Sequence, residues 1–204
     1  MTRKIAIIGA GPAGYTLAQE LVKTENEYQI DIFDKEAEIG GAIYTGIPEY
    51  RMPKIFLEKA YNGLIEAGVK FHFNTFVDQT MFKELQTNYD YVVVAIGAQI
   101  ENTFGFETGN VCGVQVAKME LGEMDESGRA SCHEVKDSLF TMDCDLVAMA
   151  IGQKVDFTPL NDNLKTTDTH ASTLDNVFII GDAFTGPKTI GSAVMEGKKI
   201  AKEI

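Results

Sequence analysis

Hydrophobic and polar positions along the chain alternate between short, unbroken apolar runs and stretches with helical spacing. Lys4 to Gly9 (KIAIIG) is such a run, the pattern of a strand covered on both faces. It stops at glycine, and Tyr15 to Lys23 follows with Leu17, Ala18, Leu21 and Val22 apolar, as one face of a helix requires. QIDIFD is a second strand, ending on Asp34. The pattern then predicts a helix from about Pro53 to Ala67, a strand over GVKFHFNTF, a short helix around Met81 to Leu85, and a strand YDYVVVAIG that Gly97 ends. A second AIG, Ala150 to Gly152, closes the apolar run DLVAMAIG, and NVFIIGDAF is a late strand followed by TGPKT and a helix from about Ile190 to Lys202. Strands alternating with helices predict an α/β fold with a mainly parallel central sheet.

Residues 98 to 149 break this rhythm. VCGVQVAKMEL and CHEVKDSLFTM are strand-prone arms around a turn at Asp125 to Gly128, which predicts a β-hairpin or small meander. The segment holds no second G-x-G-x-x-G and no βαβ alternation. A single βαβ unit takes ~30 residues, and a nicotinamide-binding domain takes several.

The turn after the first strand carries the chemistry. Gly9, Gly11 and Gly14 stand in G-x-G-x-x-G spacing, with Pro12 and Ala13 between them, and Asp34 lies at the end of the next strand. In that order Gly9 permits the tight turn, Gly11 lets backbone approach a pyrophosphate, and Gly14 lets helix and strand pack closely. The helix N-terminus faces the phosphates, and the Asp34 carboxylate accepts from ribose hydroxyls. This predicts a Rossmann-like dinucleotide-binding domain without separating NAD from FAD.

Composition narrows the class. With 204 residues and 45% hydrophobic content there is material for one sizeable core. A net charge of −12 and a pI near 4.7 oppose nucleic-acid or anionic-membrane partners, which need clustered Lys and Arg. No apolar run reaches the ~18 residues of a membrane span, and no secretory leader is evident, so a cytoplasmic protein is expected. Cys112, Cys132 and Cys144 form no C-x-x-C and no ligand cluster with His72, His133 or His170, and read as packed or incidental thiols rather than metal ligands. No catalytic Ser/His/Asp or paired-carboxylate arrangement stands out.

Three further features bear on the cofactor. Gly40-Gly41 can pass close to a ligand. In GIPEYR, Pro48 stiffens the chain and Arg51 offers a phosphate-directed fork, with a surface ion pair as its equal alternative. The late strand delivers Gly181 and Asp182, whose carboxylate suits sugar or ribityl hydroxyls, and the helix start at Thr189 and Ile190 suits negative charge on a reduced flavin.

GAGPAG, Asp34, Gly40-Gly41, GIPEYRMP, MELGEMDESGR, the two AIG segments (with Ala95 and Gly97 in the first) and the late GD resemble the NAD(P)H-dependent FAD oxidoreductases typified by the glutamate synthase small subunit, within the pyridine nucleotide-disulfide oxidoreductase superfamily. The resemblance implies FAD. It implies cofactor contacts at Gly9 to Gly14, Asp34, Lys35, Ala42, Arg51, Val77, Asp182, Thr189 and Ile190, and Gly41, Ala95, Gly97 and Gly181 are expected to bind the cofactor with them. It also implies that the AIG segments mark the exit from and return to the FAD domain, and that an NAD(P)H domain normally stands between them. On that expectation residues 1–98 and 149–204 form one discontinuous FAD-binding domain, 99–148 is a hairpin remnant, and FGFETGN is a join, natural or made to isolate the domain. Family members pass electrons to iron–sulfur partners, so an electron-transfer oxidoreductase with impaired NAD(P)H use is expected. The alternative is a non-enzymatic, flavin-carrying interaction or redox-sensing module that pairs with a second copy through an uncovered apolar patch. An NAD-only Rossmann protein is a weaker third reading.

Overall fold

The computed structural model describes residues 2–103, 110–124, 128 and 130–204. The chain divides into two compact units, Met1–Asn102 with Gly152–Ile204, and Thr103–Ile151. FGFETGN up to Gly109, and residues 125–127 of the turn predicted at Asp125 to Gly128, lie outside the described residues.

The first unit is built on β1 (Arg3–Ile8), α1 (Pro12–Leu21), β2 (Tyr28–Phe33), α2 (Ala42–Gly46), α3 (Ile55–Glu66), β3 (Lys70–His72), α4 (Gln79–Asn88), β4 (Tyr91–Val94) and the two-residue β5 (Ile100–Glu101). The second unit then contributes β6 (Gly113–Val116), β7 (Met119–Met124), β8 (Ala130–Glu134) and β9 (Phe140–Asp143). The chain returns through β10 (Gln153–Lys154), β11 (Val177–Ile179), α5 (Asp182–Thr185) and α6 (Ile190–Ile200). Five strands form one parallel sheet in the order β11-β4-β1-β2-β3. This is the expected α/β, Rossmann-like fold.

Alternation along β1 divides the core. Ile5 and Ile7 face one layer with Leu17 and Leu21 of α1, Leu57 and Leu64 of α3, and Ile200 of α6. Ala6 and Ile8 face the other, with Phe82 and Leu85 of α4, Leu160 and Leu164. Apolar runs without alternation arise because both faces of the parallel sheet are covered. β5 and β10 pair antiparallel, Glu101 opposite Gln153, so the outgoing and returning chains of this unit run side by side.

Several elements differ from their sequence expectation. The strand over GVKFHFNTF keeps only three residues, because Asn74 turns to φ 53° and the Asn74 and Thr75 N–H groups donate to the carbonyls of Glu36 and Asp34. The helix expected around Met81 to Leu85 grows to ten residues because Asp78 caps it, accepting from the Met81 N–H at 2.9 Å. DLVAMAIG forms no strand, and Leu146 is 83% exposed.

In the second unit β6 pairs with β9 and β7 with β8, both antiparallel, with a register shift between Leu121 and Met124. No described residue from 110 to 151 is buried. Of the thiols expected to be packed or incidental, Cys112 and Cys132 are exposed and Cys144 is half-buried.

Candidate functional site: the carboxyl edge of the parallel sheet

Parallel strands end on one side, so Gly9 after β1, Asp34 after β2, Ala95 after β4 and Gly181 after β11 share that edge. Strand order reverses between β1 and β4, the position where open α/β sheets leave a crevice.

The glycine motif is held there by contacts that exclude side chains. Gly9 has φ +111°, and a Cβ on it would stand 2.3 Å from the Ala95 carbonyl oxygen. A Cβ on Gly14 would stand 2.0 Å from the Gly9 oxygen, so helix and strand meet at backbone distance. Gly11 differs: the nearest neighbour of its Cβ would be Gly41 Cα at 3.9 Å. A Cβ at Gly11 would thus make only ordinary contact, which leaves this the least crowded of the three glycines, as approach of a ligand requires. Pro12 occupies the first helical position, where a missing N–H costs nothing. The first turn of α1 holds no acidic residue and Gly11 has no capping side chain, so its N–H groups meet no competing carboxylate.

Asp34 is half-buried. Its Oδ2 accepts from the Ala10 N–H at 2.6 Å and its Oδ1 from the Glu36 N–H at 2.9 Å. Each oxygen keeps a lone pair for a further donor. The Gly40 N–H donates to the Ala10 carbonyl at 2.9 Å, which ties the Gly40-Gly41 loop to the motif. Ala42 opens α2 and is exposed, Lys35 is exposed with Glu36 3.8 Å away, and the Val77 side chain is buried in the second core layer.

The late segment joins the same edge. Gly181, at φ +65°, places its backbone where a Cβ would lie 2.7 Å from Ala13 Cβ. Asp182 follows, half-buried, and burial raises its carboxyl above the ordinary value against the lowering pull of the Lys188 N–H (3.2 Å) and charge. Thr189 caps α6, its hydroxyl accepting from the Ser192 N–H at 3.1 Å. Arg51 and Ile190, far apart in sequence, line one cleft of about 380 Å³ with Gly46, Ile47, Pro48 and Met52. Gly97 lies past β4 at φ +70°.

Sequence reasoning missed four supports. Lys54 donates to the carbonyls of Ile43, Tyr44 and Ile47, fixing the loop that carries Arg51. Gly197 lets α6 meet α1, since a Cβ there would lie 2.6 Å from the Ala13 oxygen. Buried His170 pairs with Glu196 of α6 and packs on Phe184 of α5 at 4.4 Å, so one side chain joins the two late helices. Gln99 donates to the Asp156 carbonyl at 2.6 Å while its Oε1 is buried with no partner among the described residues. Of these, Lys54 directly follows the quoted GIPEYRMP; the others depend on non-local packing.

The family pattern described as an NAD(P)-binding Rossmann-like domain matches residues 7–77. The beta subunit of the NADP(+)-dependent formate dehydrogenase of Moorella thermoacetica is 25% identical over 309 residues, covering 99% of this chain and 43% of the relative. The glutamate synthase [NADPH] small chain of Halomonas elongata is 37% identical over 116 residues, covering 56% of this chain and 24% of the relative. Among solved structures, FprA from Mycobacterium tuberculosis superposes with a TM-score of 0.82 at 13% identity, covering 100% of this chain and 84% of that one, a likeness of fold alone. Over residues 7–77 the chain is thus similar to NAD(P)-binding Rossmann-like domains, and glutamate synthase small chains are among its relatives. It spans less than half the length of these two curated relatives. Among the described residues no helix is long and apolar enough to cross a membrane.

Proposed function

We propose that the parallel-sheet unit binds FAD and is the flavin domain of an electron-transfer oxidoreductase like the glutamate synthase small chain, with weak or no direct use of NAD(P)H. One observation carries this reading: residues 181–197 return to the glycine motif, Gly181 and Gly197 both closing on Ala13. A site for the pyrophosphate and one ribose needs only the first 77 residues. The returning segment adds a second polar end, with Asp182, the start of α6 and the Arg51 cleft.

The residues present fit the cofactor. The uncrowded backbone at Gly11 and the uncapped first turn of α1 suit a pyrophosphate, and the free lone pairs of Asp34 suit ribose hydroxyls. Asp182 offers an acceptor to ribityl hydroxyls, and Gln99 Oε1 is a buried acceptor in want of a donor. The N-terminus of α6 and the Arg51 guanidinium favour negative charge at the cleft. Bound FAD supplies the two-electron chemistry; the chain positions it and sets its electrostatic surroundings.

Limited NAD(P)H use follows from what the chain omits. An alignment of 309 positions against 204 residues leaves at least 105 positions of the formate dehydrogenase subunit without a counterpart here. That supports an internal omission of several βαβ units, and with it the assignment of 99–148 as a remnant hairpin and of the flanking segments as one discontinuous FAD domain. Electrons then leave to an external carrier, an iron–sulfur protein.

The purified protein is expected to show a flavin absorption spectrum, or to acquire one on addition of FAD, and to bleach slowly with NADPH or NADH. A colourless protein that takes up no FAD would contradict the cofactor; fast stopped-flow reduction by NADPH would contradict the omission. Exposed Leu121, Met124 and Leu146 favour, as a second reading, an interaction module whose flavin serves as a sensor. Dithionite reduction separates the two, since rapid reoxidation by ferredoxin or a dye belongs to electron transfer and an inert flavin to the sensor.

A further inference from the structure

We propose that Cys112 and Cys144 are a redox-closable pair, oxidised to an intrachain disulfide by a low-molecular-weight disulfide such as glutathione disulfide. The two residues are 32 positions apart in sequence, yet the β6–β9 register, Gly113 opposite Asp143 and Val114 opposite Met142, continues one step outward to set Cys112 opposite Cys144. The Cys144 N–H donates to the Cys112 carbonyl at 3.2 Å, so the pairing extends to the cysteines themselves. Directly opposed residues of an antiparallel pair present their side chains on one face, and a hydrogen-bonded pair has a Cα separation of about 5.5 Å. That separation lies inside the ~4.4–6.8 Å range that a disulfide spans. Both thiols are free, Cys112 is exposed and Cys144 half-buried, so a small disulfide can reach them. Cys132 sits on β8 opposite Leu121, with no cysteine facing it.

The bond also suits its surroundings. None of the described residues between 110 and 151 is buried, and a covalent tie across β6 and β9 adds order that apolar packing among them does not supply. In the exchange, the Cys112 thiolate attacks one sulfur of glutathione disulfide and releases a first glutathione. The Cys144 thiolate then attacks the Cys112 sulfur of the mixed disulfide, forming the intrachain bond and releasing a second glutathione. Two electrons pass from the protein to glutathione disulfide, and the two thiol protons end on the two glutathione molecules.

The test equilibrates the full chain with glutathione disulfide, alkylates the remaining thiols, and reads intact mass and linked peptides. The expected product has lost two hydrogens, carries one alkylated thiol at Cys132, and yields a peptide joining Cys112 to Cys144. Linked chain should be at least about tenfold more abundant than in Cys112→Ser or Cys144→Ser, and unchanged in Cys132→Ser. Three alkylated thiols, glutathionyl adducts without the internal link, a bridge involving Cys132, or a bridge between two chains would each overturn the proposal.

Discussion

The two units solve the problem of holding a chain in opposite ways. In the first, apolar layers cover both faces of the sheet and backbones approach so closely that Gly9, Gly14, Gly181 and Gly197 leave no room for a methyl group. In the second, strands pair through their backbones while Met119, Leu121, Met124 and Met142 remain more than half exposed. The contrast teaches that order in the first unit comes from packing, which also fixes the candidate site, whereas the second is ordered by local strand pairing and tolerates change.

Breaking the close packing gives the largest expected effect. Gly14→Ala drives a methyl into the Gly9 carbonyl and is expected to destabilise by roughly 3 kcal/mol or more, read by urea unfolding. Gly11→Ala sharpens the same point, since its methyl would come no closer than 3.9 Å to Gly41 Cα: stability should hold within about 0.5 kcal/mol while FAD affinity falls, and an unfolded variant would refute that division of roles. His170→Ala leaves Glu196 without its partner and opens a hole against Phe184, at an expected cost of roughly 2 kcal/mol.

Asp182 gives a pH-dependent effect. Its folded-state carboxyl lies above the ordinary 3.8, so the fold favours the protonated form and stability declines as pH rises through the window above 3.8. Asp182→Asn should flatten that decline in cofactor-free protein and weaken FAD binding; an unchanged pH profile would contradict the assignment. Smallest is Leu121→Lys, where a side chain 78% exposed should shift stability by under about 0.5 kcal/mol. A larger loss would mean that the second unit has a core after all.

Much of the first unit was legible because its signals are local. KIAIIG, the glycine spacing and Asp34 directly after β2 define a strand, turn, helix and acid within 34 residues, and YVVV and NVFII betray sheet strands buried on both faces. What escaped is non-local or lies in backbone angles. The left-handed turn at Asn74 ends β3 within a pattern that still reads as strand. The pairing of His170 with Glu196 requires knowing where α6 lies, and that of Cys112 with Cys144 requires a register that no C-x-x-C spacing reveals. DLVAMAIG carries a strand's composition but forms no strand, so composition misleads there.

The proposed clasp of FAD by the first unit, between the Gly9–Gly14 turn and the Asp182 segment, is open to direct chemical identification of the ligand. Heat or acid release of the ligand from protein reconstituted with excess FAD, NAD and NADP together, followed by mass identification, tests it most directly. FAD in near-equimolar amount is the result expected; recovery of NAD or NADP alone, or of no dinucleotide, would contradict it.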